Sequence, residues 1–312
     1  MDTDRKINRR DALKYMGTIC AGAFLVSSGV LAMPGCTAER RVKRLVFYFT
    51  ATGNCLYVAR QIAGETGELR SIPQEINKSN RLYEAEEIGF VFPTYAHIPP
   101  AMVQDFLTGS TFKADYLFAV ATYGAFHGGI MEVWDKLAKS KGYHFNYLNT
   151  VLMVDNAINF FDMDQERAID KHIPKQMAKM LEGINSRQDY RQPVTDQDRK
   201  MHADYMRMSR LDPVKPCLGR AEKYVAVVGN CISCGICRSV CPHGSWKIED
   251  RAIPEGVCEG CMACIHNCPQ KAITLQPSPT MPDYPTDRNP KARYRNPHVT
   301  IPDIIRANNQ TK

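Results

Sequence analysis

Short apolar runs alternate with helical patterns between residues 43 and 184. The runs are continuous, and they read LVFYF (45–49), IGFVF (88–92), YLFAVA (116–121) and VLMV (151–154), with LRSIP (69–73) as a further candidate. Continuous apolar runs are typical of strands buried on both faces of a parallel sheet. Between the runs, apolar residues recur at helical spacing, as at Val58, Ala59, Ile62 and Ala63. The pattern predicts an α/β fold with a doubly wound parallel sheet.

Ligands of such sheets bind beyond the carboxyl ends of the strands, so the loops there are the first candidates for a site. The first reads FTATGNC (49–55), in which Thr50 and Thr52 offer hydroxyls and Gly53 allows close backbone approach. The helix that follows supplies free N–H groups and a positive dipole end, which suit a phosphate. The loop matches neither G-x-G-x-x-G nor the P-loop pattern, so a dinucleotide or ATP is not indicated.

Two further strand ends place aromatic residues beside small or turn-forming residues. They read FPTYAHIPP (92–100) and ATYGAFHGG (121–129). Together with the first loop, they are suited to a phosphorylated planar ring. His97 and His127 of these loops either act near such a ring or face solvent, and the sequence leaves both interpretations open.

These loops resemble those of flavodoxins, and the resemblance covers roughly residues 43–184. T-x-T-G-N at 50–54 is similar to the flavodoxin loop that binds the phosphate of flavin mononucleotide (FMN). The resemblance implies that FMN is bound by Thr50, Thr52, Gly53, Asn54 and Cys55 at the phosphate, and by Pro93, Thr94, Tyr95, Thr122, Tyr123, Gly124 and Phe126 around the ring. Cys55 stands where flavodoxins have Thr or Ser, and because a thiol is a weaker donor, reduced flavin affinity is expected.

The strongest motif is a duplicated cysteine pattern. CISCGICRSVCP begins at Cys231, and CEGCMACIHNCP follows twenty-seven residues later. Structural zinc uses four ligands, typically as two separated C-x-x-C pairs, and disulfides within C-x-x-C would close very small loops. Two [4Fe–4S] clusters account for every cysteine of the pattern, since three cysteines bind one cluster and the fourth, before proline, binds the other.

This rule divides the eight cysteines into two ligand sets. The first set is Cys231, Cys234, Cys237 and Cys268, and the second is Cys258, Cys261, Cys264 and Cys241. Residues 222–276 resemble the bacterial two-cluster ferredoxins, which implies a small α+β domain with short strands at 223–228 and 246–250. Cys217 belongs to neither set and has no assigned role.

The N-terminus predicts an export signal over residues 1–36. Arg9 and Arg10 precede a short apolar stretch and then Cys36, an order that resembles a twin-arginine signal. Cleavage with lipidation at Cys36 and an uncleaved membrane anchor both remain open. An exported protein, periplasmic or anchored facing outward, is expected, and a cytoplasmic one if the signal is unused. A route that exports folded proteins would carry the cysteine module out with its clusters already in place. Threading the unfolded chain into an oxidising space would instead expose eight free thiols.

The remaining segments are a connector and a tail. Residues 185–221 are polar and predict a helical connector, and residues 277–312 form a proline-rich tail that is expected to be extended through Pro302. ARYRNPHVT (292–300) resembles the C-terminal segment of a family that fuses a flavodoxin-like domain to a ferredoxin. With that segment, the resemblance covers nearly the whole mature chain.

The sequence therefore predicts an electron-transfer protein with FMN, two [4Fe–4S] clusters and redox partner proteins. The net charge is +7, without a dense Lys/Arg stripe, so nucleic acid is not an expected partner. No hydrolase signature is present, and whether the chain is an enzyme stays open. Two alternatives remain: a flavin-dependent reductase of a small acceptor such as a quinone, and a redox-sensing or docking subunit with a degenerate flavin site.

Overall fold

The computed structural model describes residues 42–277 and 286–310 of the chain. The predicted export signal, with Cys20 and Cys36, lies outside the described residues, as does part of the proline-rich tail. No helix in these two described stretches combines the length and the apolar character needed to cross a membrane.

A parallel sheet forms the centre of residues 42–191. Its strands are β1 (Val42–Tyr48), β2 (Glu68–Ser71), β3 (Leu82–Pro93), β4 (Thr111–Lys113), β5 (Tyr116–Tyr123), β6 (Tyr147–Leu152) and β7 (Tyr190–Arg191). The order is β2-β1-β3-β5-β6-β7, with β4 paired to β3, and every pairing is parallel. This is the flavodoxin-like order, with its switch point at β1 and β3. The predicted doubly wound fold is confirmed, and β7 extends the sheet beyond residue 184.

Helices cover the sheet and connect its strands. They are α1 (Asn54–Ala63), α2 (Ile72–Glu75), α3 (Ala101–Thr108), α4 (Ile130–Lys139), α5 (Met163–Ala168), α6 (Ile173–Asn185) and α7 (Asp196–Ser209). Pro174 lies in the first turn of α6, where a missing N–H costs nothing, so the proline marks a helix start. α7 is the helix of the predicted connector.

Aromatic side chains fill the core of this domain. Phe90 is fully buried, and its ring centroid lies 5.2 Å from that of Trp134 and 5.5 Å from that of Phe47. Gly89 faces Phe118, and a Cβ there would lie 2.0 Å from the Phe118 ring. The absence of a side chain at Gly89 therefore lets an aromatic ring pack directly on β3.

Residues 219–275 form a small cysteine module built from short elements. They are β8 (Gly219–Arg220), α8 (Ala221–Tyr224), β9 (Val225–Val227), α9 (Ile236–Ser239), β10 (Trp246–Ile248), β11 (Ala252–Pro254), β12 (Val257–Cys258), α10 (Ala263–His266) and β13 (Ile273–Leu275). The strands pair antiparallel as β8–β12, β9–β13 and β10–β11. The two predicted strands are shorter than expected, and helical turn α8 replaces the start of the first.

The sequence repeat is also a repeat of backbone conformation. Ser233 and Gly260, twenty-seven residues apart, both have positive φ, at 53° and 66°. Gly235 and Met262 are likewise equivalent, with φ of 77° and 59°, and they precede α9 and α10. The two cysteine motifs therefore follow the same path.

The C-terminal segment is not extended throughout. Residues 286–300 have no regular structure, and α11 (Ile301–Asn308) follows. The Thr300 side chain and Asp303 form a capping box, and Pro302 lies in the first turn. The prediction of an extended path through Pro302 is wrong at its last two residues, because Ile301 and Pro302 belong to the first turn of α11.

Candidate functional site

The eight cysteines of the repeat come together as two groups of four. One small cavity is lined by Cys231, Cys234, Cys237 and Cys268, and another by Cys241, Cys258, Cys261 and Cys264. These are the two ligand sets predicted from the sequence, in which three cysteines of one motif join the fourth cysteine of the other. All ten cysteines in the described residues are free of disulfides. The disulfide alternative therefore finds no support in this part of the chain.

The thiols in these groups are held close to one another in apolar surroundings. Burial raises the pKa of Cys237, and the nearby Cys234 and Cys268 thiols raise it further. Burial likewise raises the pKa of Cys264, together with Cys261 and Cys241. Four adjacent thiolates without a cationic centre would be costly, and a bound metal centre offsets that cost because its positive charge stabilises the deprotonated thiols.

Backbone N–H groups point at the outer thiols of both groups. Cys231 Sγ accepts from the N–H groups of Ser233 at 3.5 Å and Ala252 at 3.4 Å. Cys258 Sγ accepts from Gly260 N–H at 3.3 Å, and Cys268 Sγ from Ala272 N–H at 3.3 Å. Hydrogen bonds to ligand sulfurs are among the features that set cluster potentials.

A single metal ion is a poor match for these groups. Among the described residues, no three His, Cys, Asp or Glu side chains converge closely enough to hold one ion. A cubane of four irons and four sulfides spaces its thiolate ligands more widely than one ion does. The donor set, eight thiols in two groups of four, therefore suits clusters better than zinc.

A larger cavity of about 440 Å³ lies at the carboxyl ends of the strands. One wall is formed by residues that follow β1, β3 and β5, and the opposite wall by the cysteine module. The predicted site residues in its wall are Asn54, Pro93, Thr94, Tyr95, Thr122, Tyr123 and Gly124. From the module, Gly260, Cys261 and Met262 line the same cavity, together with Cys217 of the connector. Cys261 thus belongs both to a four-cysteine group and to the cavity wall.

Three residues of the cavity wall carry a buried polar atom without a protein partner. Within the described part of the chain, Thr94 Oγ1, Tyr95 OH and Asn159 Oδ1 have no hydrogen bond. Each of these atoms is itself covered by protein, so they are exceptions to the rule that buried polar atoms are bonded. The lining residues combine aromatic rings, as at Tyr95 and Tyr123, with polar side chains such as Asn159, and this combination suits the ring half of a flavin.

The predicted phosphate loop lies mostly outside this cavity. Thr50, Thr52 and Cys55 are 1%, 3% and 2% exposed, and neither they nor Gly53 line it. Gly53 N–H donates to Thr50 Oγ1 at 3.2 Å, and Thr52 Oγ1 accepts from Asn156 Nδ2 at 2.9 Å. The loop as it stands does not fit the phosphate half of FMN. The sequence could not show this, since Asn156 is distant along the chain.

Two further residues predicted to bind FMN, Phe126 and Cys55, lie outside the cavity wall. Phe126 is 57% exposed and does not line the cavity. Cys55 Sγ lies 3.1 Å from Thr122 Oγ1, and burial raises the pKa of this thiol to about 12. Cys55 is therefore a neutral buried thiol in the first turn of α1, facing β5.

No protein-family model matches the chain. The chain is 40% identical over 60 residues to a protein of Methanosarcina acetivorans that is one of the subunits in an ion-translocating oxidoreductase complex. The match covers 19% of this chain and 22% of that protein. The chain thus spans about a fifth of the length of this curated relative.

Solved structures with a similar fold include a flavoprotein in complex with FMN from Lactobacillus acidophilus and a flavodoxin, WrbA-like protein from Agrobacterium tumefaciens. The first is 12% identical with a TM-score of 0.27, covering 35% of this chain and 92% of the other. The second is 14% identical with a TM-score of 0.28, covering 45% and 99%. The fold assignment rests on this chain's own strand order.

The Tyr95 hydroxyl allows a direct test of whether this buried atom lacks a partner. We expect Tyr95→Phe to leave the free energy of unfolding unchanged or slightly raised, because the hydroxyl has no partner to lose. Tyr116→Phe is the matched control, since Tyr116 OH donates to Gln188 O at 2.8 Å and its loss costs about 1 kcal/mol. Urea denaturation of both variants measures this. A larger loss in Tyr95→Phe than in Tyr116→Phe would contradict it.

His97 lies beside the cavity rather than in its wall. Its ring centroid lies 5.6 Å from that of His202 and 5.2 Å from that of Tyr205, both on α7. Burial, together with the nearby His202 and His127, lowers the pKa of His97 to about 4. His127 in turn faces Asp198, with Nε2 3.8 Å from Oδ1. The two loop histidines therefore pack against the connector helix.

This environment makes stability depend on acid pH. Between pH 6.5 and about 4 the unfolded chain binds a proton at His97 that the folded chain does not, so stability falls as pH drops through that window. We expect wild type to lose up to about 1.4 kcal/mol more per pH unit than His97→Asn, whose asparagine tolerates the positive φ of 66°. Urea denaturation at pH 7 and pH 5 measures the difference, and parallel losses would contradict it.

Proposed function

We propose that this chain is an electron-transfer protein that holds two [4Fe–4S] clusters on its two groups of four cysteines, beside a flavin-binding cavity. One observation carries the proposal. Cys261 is in the second four-cysteine group and also lines the 440 Å³ cavity at the strand ends. A ligand in that cavity and a cluster on those cysteines would therefore be in contact through a single side chain.

The chain's own contribution is to bind the clusters and to exclude water from around them. Cys237, Cys261 and Cys264 are at most 9% exposed, and Ile265 and Val240 beside them are fully buried. Such a dry shell and the N–H donors to sulfur control the potential of a bound cluster. When bound, the clusters supply one-electron transfer, and a flavin supplies exchange of one or two electrons.

The test is a cofactor count on full-length protein purified without oxygen. Iron, acid-labile sulfide, zinc and flavin would be measured per chain, with absorption spectra before and after reduction. About eight irons are expected from two four-iron clusters, together with one flavin per chain. Zinc in place of iron would refute the clusters, and eight irons without flavin, even after flavin is added, would refute the flavin half.

A second candidate is a redox-sensing or docking subunit whose flavin site is degenerate. The observation that favours it is the phosphate loop, four of whose five predicted residues do not line the cavity. Under this proposal the clusters are present, no flavin is retained, and stable complexes form without electron flow. The same cofactor count separates the two, because only the electron-transfer proposal requires flavin.

We also propose that the protein is exported, with Arg9 and Arg10 as the signal. Fractionation of cells that express wild type or an Arg9→Lys, Arg10→Lys variant would test this. Iron-loaded protein is expected outside the cytoplasm for wild type and inside it for the variant. Equal distribution would contradict export by this route.

A further inference from the structure

The C-terminal segment, residues 292–310, crosses directly over the loop that the sequence predicts to bind phosphate. Asn308 Nδ2 donates to Thr50 O at 2.8 Å, and Asn296 N–H donates to Thr52 O at 2.8 Å. Asn308 is fully buried, and Nδ2 also donates to Val240 O of the cysteine module at 3.0 Å. The loop is therefore tied to two distant parts of the chain.

The side chain at the start of α1 is also taken up by this segment. Asn54 Oδ1 accepts from Tyr294 OH at 2.6 Å and from Asn296 Nδ2 at 3.1 Å. Asn54 Nδ2 donates to Val154 O at 3.1 Å. The Asn54 amide is thus bonded on both sides by protein, although it is the one predicted phosphate-loop residue in the cavity wall.

The space against Gly53 is filled as well. A Cβ at Gly53, whose φ is 98°, would lie 2.8 Å from Val299 Cβ and 3.1 Å from Asn296 Cβ. Flavodoxin-type loops use glycine so that a ligand can approach the backbone closely. Here the close approach is made by Val299 and Asn296 of the chain itself.

An ion pair also joins α1 to the C-terminal helix. Arg60, near the end of α1, pairs with Asp303 of α11 at 2.6 Å, and Arg306 pairs with the same carboxylate. The Asp303 carboxyl is 9% exposed, and its bonds to Arg60 and Thr300 outweigh burial and hold its pKa below the usual range. The positive charge of Arg60 thus serves the C-terminal helix.

We propose that residues 292–310 take the place of a ligand phosphate. The loop at 50–54 is an anchor for the C-terminal segment, and the cavity recognises a flavin by its ring alone. The inference rests on the proposed function for the presence of a flavin. It goes further by stating which part of the flavin is bound, and so which flavins the site accepts.

The test compares FMN with riboflavin, which has the same ring and no phosphate. Full-length protein with its clusters intact would be freed of flavin and titrated with each. The two dissociation constants are expected to differ by less than tenfold. A loop that holds a phosphate through several charge-assisted hydrogen bonds would favour FMN by about 100-fold or more. A preference for FMN of tenfold or greater therefore overturns the inference.

A second measurement does not depend on flavin. Asn296→Ala is expected to accelerate amide hydrogen exchange across residues 50–57 by about tenfold or more, because the anchor over the loop is lost. Tyr294→Phe, which removes one hydroxyl, is the milder variant if Asn296→Ala fails to fold. Asn185→Ala is the control, since the exposed Asn185 accepts from Arg44 Nη1 at 2.9 Å, away from the loop. Unchanged exchange in both test variants would overturn the anchor.

The two failures can be told apart. If neither flavin binds while about eight irons remain, the flavin half of the proposed function fails, and hydrogen exchange alone decides the inference. If both flavins bind and FMN is strongly preferred, the proposed function stands and the inference fails.

Discussion

If the chain holds the two proposed [4Fe–4S] clusters, replacing Cys261 with serine is expected to remove about four of the eight irons from the purified protein. Cys261 is 9% exposed and stands in the group with Cys241, Cys258 and Cys264. A serine hydroxyl is far harder to deprotonate than a thiol, so the second cluster would lose one of its four ligands. Since Cys261 also lines the large cavity, the absorption of a bound flavin is expected to change as well.

Cys217→Ser is the matched control for this prediction. Cys217 lines the same cavity, and its Cβ lies 2.9 Å from the position a Cβ would take at Gly260, yet it belongs to neither four-cysteine group. We expect this variant to keep about eight irons. Iron and sulfide analysis of both variants measures the effect. Full iron content in Cys261→Ser, or equal loss in Cys217→Ser, would show that the second group is not a cluster site.

The crossing of the two motifs can be resolved with the same assay. Cys241→Ser is expected to affect the same cluster as Cys261→Ser, although Cys241 belongs to the first motif in the sequence. Cys268→Ser is expected to affect the other cluster. Electron paramagnetic resonance of the reduced variants distinguishes the two. The assignment would be contradicted if Cys241→Ser affected the same cluster as the other cysteines of the first motif, Cys231, Cys234 and Cys237.

Replacing Glu259 with alanine is expected to lower the free energy of unfolding by about 3 kcal/mol. Glu259 lies between Cys258 and Cys261 and is 2% exposed. Its Oε1 accepts from Met102 N–H at 3.1 Å, in the first turn of α3, and its Oε2 lies 2.8 Å from His243 Nε2. The variant leaves a buried N–H and an imidazole without their partner and removes a negative charge from a helix N-terminus.

Glu249→Ala is the control in the same module. Glu249 pairs with Lys247, and both side chains are about half exposed, so no measurable loss of stability is expected. Urea denaturation of the iron-loaded proteins measures both variants. Because Glu259 joins the cysteine module to α3, its loss is also expected to loosen the cavity wall and weaken flavin binding. Equal stability in the two variants would contradict a structural role for Glu259.

Local chemistry was readable from the sequence because it depends on spacing. The cysteine repeat at Cys231 and Cys258 predicts two groups of four, and the structure places the cysteines in two such groups. Continuous apolar runs predict buried parallel strands; β5 follows its run closely, whereas β3 contains its run but begins six residues before it. Each of these features is determined within a few residues along the chain.

The predicted flavin site shows where local reasoning ends. Thr94, Tyr95, Thr122 and Tyr123 reach the cavity because strand ends of one parallel sheet must meet at one edge. Thr50, Thr52 and Gly53 satisfy the same local pattern, but they are covered by residues about 240 positions later or bonded to Asn156. A motif indicates which ligand a loop could bind, whereas the residues packed against the loop determine whether its binding surface is accessible.

Periodicity and spacing along the chain were enough to predict the sheet, the positions of its candidate ligand loops and the division of the cysteines, because both fix backbone geometry locally. The packing of distant segments places Cys261 in the wall of the strand-end cavity, Glu259 at the start of α3, and Asn296 and Asn308 against the phosphate loop. These contacts join segments between about 110 and 260 residues apart. They depend on how separate elements pack, and no pattern within one segment records that packing.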